Sequence, residues 1–269
     1  MTVTLGGKRL WQAQETRLES SGRMRQDSVL GEDSQDTLLT GLESLETFEY
    51  TGRVTGLRLS LNSGAPSDPM QALAEWVVDI ETMVNGAQGT GYTLDDDNRD
   101  RTINTAIEMV GWQKQKGAKY EVNWDLALTW GHCIMPDYSS DPPTVNPREG
   151  PDILDGQEIT NIETRREQKR QELEEYPIAF ADPGGDEIVG NSGAVRQILL
   201  RGDAVGTRTE RNSFDNHMLN LLGQDTIVQY ESAFPGRTLD VMVTNYESVR
   251  EAGVTRKGEY IIELVEGLA

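Results

Sequence analysis

His132, His217 and Cys133 are the side chains of this chain best suited to hold a metal or to serve a nucleophile. Their number and placement argue against both. One cysteine and two histidines cannot assemble a zinc site. The histidines fall in different halves, and neither accompanies a serine-nucleophile pattern. His217 lies inside a predicted short helix, as an exposed or capping residue. Cys133 reads as a small hydrophobe beside a strand end, and a lone cysteine forms no internal disulfide. "DDDNRD", from Asp95, is acidic enough for calcium but lacks the alternate-residue spacing and central glycine of a calcium loop, so it reads as a hairpin turn. "NGAQGTGY", from Asn85, follows a predicted helix and reads as a helix stop and turn, not a dinucleotide loop. No phosphate loop is present. With 45 acidic residues, choosing two as an acid/base couple would be arbitrary. No catalytic residue, metal or cofactor is expected, and the chain is not expected to be an enzyme.

What does recur is glycine. Gly52, Gly56 and Arg58 form G-x-x-x-G-x-R, and so do Gly202, Gly206 and Arg208. The flanks agree. "LETFEYT" precedes the first copy and "VRQILLR" the second, both strand-like. A helix follows the first: Ser67 or Asp68 caps it, Pro69 suits its first turn, Leu73, Trp76, Val77, Ile80 and Val84 share a face, and Gly86 stops it. After the second, Asn212 or Ser213 caps a shorter helix with Phe214, Met218, Leu221 and Leu222 on one face and Gly223 as its stop. Each half then holds a strand, a turn, an Arg-Thr pair (Arg101-Thr102, Arg237-Thr238), a second strand and a closing strand, "YEVNWDLAL" or "EYIIELVE". Upstream, each begins with a Gly turn before a polar alternating run. The second run, "ETRREQKRQELEEY", is helical by propensity, but the parallel argues for an extended arm or hairpin. Its mixed charges, with Arg165, Arg166, Lys169 and Arg170 broken up by acids, make it a solvated element and a poor nucleic-acid patch.

Five of the ten prolines lie between Pro136 and Pro151, where they bar helix and sheet interior. The expected organisation is therefore a first unit over 1–135, a proline-rich linker or loop over 136–151, and a second unit over 152–269. The fold class is mainly β with a few helices, as two tandem β-sandwich or split-barrel units, each flanked by one helix.

The formal net charge is −20, and only six of the 25 basic residues are lysine. Such a surface repels nucleic acid as a whole. It fits adaptation to high salt, or a channel wall that must not hold passing DNA. No 18-residue apolar run exists, and "MTVTLGGKRLWQAQETRLES" has no signal-peptide pattern, so a soluble protein made in a cytoplasm is expected.

A Gly-rich first strand, a strand ending in "TGRVTG", a helix opened by proline, a hairpin and a closing strand together resemble the repeating unit of tailed-virus tails. That unit is shared by tail-tube proteins, distal tail proteins and the ring domains of baseplate hubs. The acidic, Lys-poor composition looks like proteins of halophilic archaea and their viruses. The resemblance implies sheets joined into a closed six-unit ring around a DNA channel: a trimer with pseudo-sixfold symmetry, or a hexamer. It implies a place in a virion tail, with tube, hub and tape-measure proteins as partners. No long hairpin of the stacking kind is evident, which favours a ring at the tail tip over the repeating tube subunit. The rival class is a carbohydrate-binding or adhesin β-sandwich. That reading requires exposed aromatics on one face, whereas Trp76 on a helical apolar face and Trp124 with Trp130 on one strand parity suggest core packing.

Overall fold

A computed structural model describes residues 2–26, 38–84, 91–134, 143–176, 187–190, 194–224, 226–250 and 257–266. The chain is mainly β. Strands β1 (Val3–Leu5) and β2 (Lys8–Leu10) form a hairpin, followed by β3 (Gln14–Gln26) and β4 (Leu38–Thr55). Helices α1 (Gly56–Leu59) and α2 (Pro69–Met83) precede β5 (Tyr92–Asp96), β6 (Arg101–Gln115), β7 (Glu121–Trp130) and β8 (His132–Ile134). The chain continues through β9 (Asp152–Leu154), β10 (Gln157–Ile159), β11 (Ile162–Arg170), β12 (Leu173–Tyr176), β13 (Glu187–Gly190) and β14 (Val195–Val205). Helix α3 (Arg208–Gln224) leads to β15 (Val228–Glu231), β16 (Thr238–Arg250) and β17 (Lys257–Glu266).

The ladders give one neighbour order twice, antiparallel throughout. It is β2-β1-β5-β6-β7-β4-β3 before the proline-rich stretch and β10-β9-β15-β16-β17-β14-β11 after it. Residues also line up across the ladders. Leu18, Phe48, Leu128 and Ile107 stand opposite one another in the first set, and Glu167, Ile198, Leu264 and Val243 in the second. The next core-facing row is Glu15, Tyr50, Leu126 and Val110, answered by Arg165, Leu200, Ile262 and Tyr246. Both opening hairpins turn through left-handed backbone: Gly6-Gly7 in one, Asp155-Gly156 in the other. Gln12 and Asn161 repeat that conformation just after each hairpin. The arm "ETRREQKR" is extended, forming most of β11. Of "DDDNRD", Asp95 and Asp96 end β5 and Asp97 to Asp100 turn the β5–β6 hairpin.

Helix α2 buries Leu73, Val77 and Ile80 against the first sheet, and Asp68 caps it by accepting from the Met70 N–H at 2.9 Å. Helix α3 departs from expectation. It starts at Arg208 and runs 17 residues, longer than the 15 of α2. The cause is a capping box: the Thr207 hydroxyl accepts from the Glu210 N–H at 3.3 Å, and the Glu210 carboxylate accepts from the Thr207 N–H at 2.7 Å. Asn212 and Ser213 therefore lie inside the helix, and Gly223 sits in its last turn instead of ending it. Thr207→Ala is expected to lower stability by about 1 kcal/mol, read by urea denaturation with an unchanged m-value.

The absence of a long hairpin is also corrected. Strands β3 and β4 pair from Gln14↔Thr51 out to Gln26↔Leu38. In the second half the corresponding strands continue as β12 and β13, and β13 adds in parallel to β8. Of the proline-rich stretch, residues 143–151 form no strand or helix, yet Val145 is buried and Asn146 N–H donates to the Gly236 carbonyl at 2.9 Å. Residues 135–142, and Gly86 with most of "NGAQGTGY", lie outside the described residues.

Among the described residues two large hydrophobic clusters form, beside a small one of Ala106 and Cys133. One is built from residues 3–145 together with Phe234, and the other from residues 154–264. Trp11, Trp112 and Trp124 are buried in the first, with Trp76 and Trp130 packed against it. Among the described residues no helix is long and apolar enough to cross a membrane.

Candidate assembly interface

Strand β11 belongs to two ladders. On one side it pairs with β14. On the other it pairs with β6, from Thr164↔Gln115 to Arg170↔Met109. One edge of β6 is thus shared in series: Arg101–Thr105 hold β5 and Met109–Gln115 hold β11. The two sheets become one.

Four charged side chains from four segments meet over this junction, all buried: Glu81 on α2, Glu167 on β11, Arg196 on β14 and Arg237 just before β16. Glu81 accepts from Trp112 Nε1 at 2.8 Å, from Arg196 Nη1 at 2.8 Å and from both terminal nitrogens of Arg237. Glu167 accepts from Arg237 and, at 3.5 Å, from Arg196, whose Nε reaches Glu266 at 3.1 Å. Burial by itself would raise the Glu81 carboxyl, but the Arg196 and Arg237 guanidiniums hold it well below the usual carboxylate range. Nearby, burial and then Arg196 push Lys169 down to about 8. Arg165 donates to the Phe234 carbonyl and pairs with Asp152. Phe234 meets Trp112 edge to face with ring centroids 5.4 Å apart, so a residue of the second half completes the first core.

The expectation that the β11 arm is solvated is therefore wrong on one face. Arg165, Glu167 and Lys169 are buried, and Arg166 and Arg170 are exposed. An alternating charged strand reads as two wet faces. Here one of them lies under a helix and a neighbouring sheet that supply opposite charge. Glu81 and Glu167 were not singled out from the sequence, because a lone charge on a helix, or on an alternating charged strand, normally marks the solvent side.

The repeated glycines are not gathered into a pocket. They admit bulky neighbours to the backbone. A β-carbon on Gly52 would lie 2.5 Å from the Trp124 ring and 2.7 Å from the Trp11 carbonyl. One on Gly202 would lie 2.5 Å from the Tyr260 hydroxyl. The ring above each glycine bonds back to the same point of its half: Trp124 Nε1 donates to the Trp11 carbonyl at 3.0 Å, and the Tyr260 hydroxyl to the Thr160 carbonyl at 2.8 Å. Gly56 and Gly206 diverge. The first opens α1 beneath Pro69, and the second has φ +152° beside Glu210. Arg58 lies over the Trp11 ring, 5.3 Å from its centroid, and Arg208 opens α3.

The lone thiol of Cys133 is buried, and burial pushes it up to about 12. His217 Nε2 is 4.0 Å from Asp155. The side chain of His132 lies outside the described residues.

Beyond the short terminal strands of the sheets, two long strands keep an edge without a neighbour among the described residues. One is the side of β3 facing away from β4; the other is the side of β16 facing away from β17 over Asn245–Arg250. Leu18 on the first edge is 52% exposed and Val249 on the second 57%.

No protein-family model and no curated protein sequence matches the chain. A solved structure, the tail of an empty GTA particle refined helically with C6 symmetry, contains a chain 16% identical. The match spans 42% of this chain and 82% of that one, at a TM-score of 0.31, a similarity too low to assign fold or function.

Proposed function

We propose that this chain is a structural protein of a virus-like tail, made of two tandem β-units with one long flanking helix each, that closes with its own copies into a ring around a DNA channel. One observation carries the reading. Strand order and residue rows recur in the two halves, β11 fills the edge of β6, and the matching edge of β16 has no partner among the described residues. Open edges are a liability in a monomer, and head-to-tail contacts whose rotation closes remove them. Six units, two per chain, give a trimer with pseudo-sixfold symmetry. The acidic surface suits a wall that lets DNA pass, in a high-salt host. Tube, hub and tape-measure proteins are the neighbours such a ring implies. A glycan-binding sandwich gains no support, because Trp11, Trp112 and Trp124 are in the core.

The position along the tail has two readings. A terminal ring was favoured by the lack of a stacking hairpin, and the long β3–β4 pairing favours the repeating tube subunit instead. Light-scattering mass at molar salt, with electron microscopy, tests both. Rings of three or six copies are expected, stacked if the chain is a tube subunit. A monomer at every salt concentration overturns the proposal.

A further inference from the structure

We infer that the open edge of β3 in one copy zips onto the open edge of β16 in the next, in the register that β11 already takes on β6. This rests on the ring reading and specifies its contact. The sheet rows set the register. Trp112 stands across from Trp124 beside Gly52, and Ser248 stands across from Tyr260 beside Gly202, so Ser248 holds the place of Trp112. Leu18 faces Phe48 as Glu167 faces Ile198, so Leu18 holds the place of Glu167. Inside the chain Glu167 lies opposite Trp112 and Arg166 opposite Gln113. Between copies, Leu18 then lies opposite Ser248 and Arg17 opposite Val249.

The substitutions at these positions make chemical sense. Leu18 is a large apolar side chain left half in water on a polar strand, on the same face as buried Phe48. The docked register lays it diagonally beside Tyr246, within reach of the Phe214–Tyr246–Tyr260 ring cluster. Val249 on the opposite face is covered in the same step. The ring therefore alternates two kinds of seam: an ionic one within each chain, and one between chains whose central contact is apolar. The seam between chains joins copies of charge −20, so salt strengthens it by screening their repulsion.

Cross-strand neighbours bring β-carbons to about 4.5–5.5 Å, close to disulfide reach. The full-length double variants Leu18→Cys with Ser248→Cys, and Arg17→Cys with Val249→Cys, are oxidised at molar salt and run without reductant. Covalent closed rings are expected from at least one pair, and none from the unaltered chain, whose Cys133 is buried. A ring of correct mass in which neither pair cross-links overturns the register and leaves the ring reading intact. A monomer overturns both. Independently, Val249→Lys places a like charge opposite Arg17 at an exposed position, so the monomer should melt unchanged while the half-assembly concentration rises about threefold or more. An unchanged half-assembly concentration counts against the inference.

Discussion

Glu81→Ala is expected to cost about 3–5 kcal/mol of folding free energy, the range for removing one partner of a buried ion pair. The carboxylate is the meeting point of Trp112, Arg196 and Arg237. Without it two guanidiniums lie buried with Glu167 as their main counter-charge, and the indole N–H loses its acceptor. Urea denaturation checks the magnitude. A double change of Glu81 and Arg237 to apolar residues of similar volume should recover much of the loss, because no uncompensated charge then remains. The same group sets a pH dependence. Its folded pKa is depressed, so its contribution is complete above the ordinary value of 4.5 and is lost as pH falls below it towards the folded value. The difference in stability between the unaltered chain and Glu81→Ala should therefore be constant above pH 5 and shrink on acidification below 4.5. A difference that grew instead would mean the carboxyl is not held ionised.

Gly52→Ala and Gly202→Ala form the second pair, each expected to lose about 3 kcal/mol. The added methyl forces Trp124 or Tyr260 off its glycine, an overpacking cost of about 1–3 kcal/mol. The displaced ring also breaks its bond to the Trp11 or Thr160 carbonyl, worth about 1 kcal/mol. Gly117, with open space around its β-carbon position, does not serve as a control because its φ of +83° penalises alanine by itself. Gly223 in the last turn of α3 has open space and ordinary backbone, so Gly223→Ala should be neutral or stabilising. Near-equal losses at 52 and 202 with no loss at 223 would tie the cost to the ring-over-glycine packing.

The mainly β class, the face and start of α2, the β5–β6 turn and the extended arm were legible because each follows from local periodicity or turn chemistry. Gly52 and Gly202 were legible as a pair, and their reason, an aromatic side chain from the neighbouring strand packed against each glycine, needed the ladders. Three features were not read. The start of α3 was missed because Thr207-x-x-Glu210 sits before a polar first turn, with no apolar residue until Phe214 to mark the helix. The reach of β3 and β4 was missed because "LESSGRMRQ" has no apolar alternation to mark a strand. The junction was missed for a different reason. Glu81, Glu167, Arg196 and Arg237 are up to 156 residues apart, and each looks locally like a surface charge. Only long-range pairing brings them into a dry place together.

The seam at β6 also governs how the molecule comes apart. Its seven residue pairs, the parallel β8–β13 addition and the shared Phe234–Trp112 contact all straddle the midpoint of the chain. Melting of the second half takes Phe234 out of the first core, and melting of either half breaks the shared ion-pair cluster. A calorimeter should record one endotherm whose van't Hoff and calorimetric enthalpies agree, and loss of the second half by truncation should unfold the first instead of freeing it.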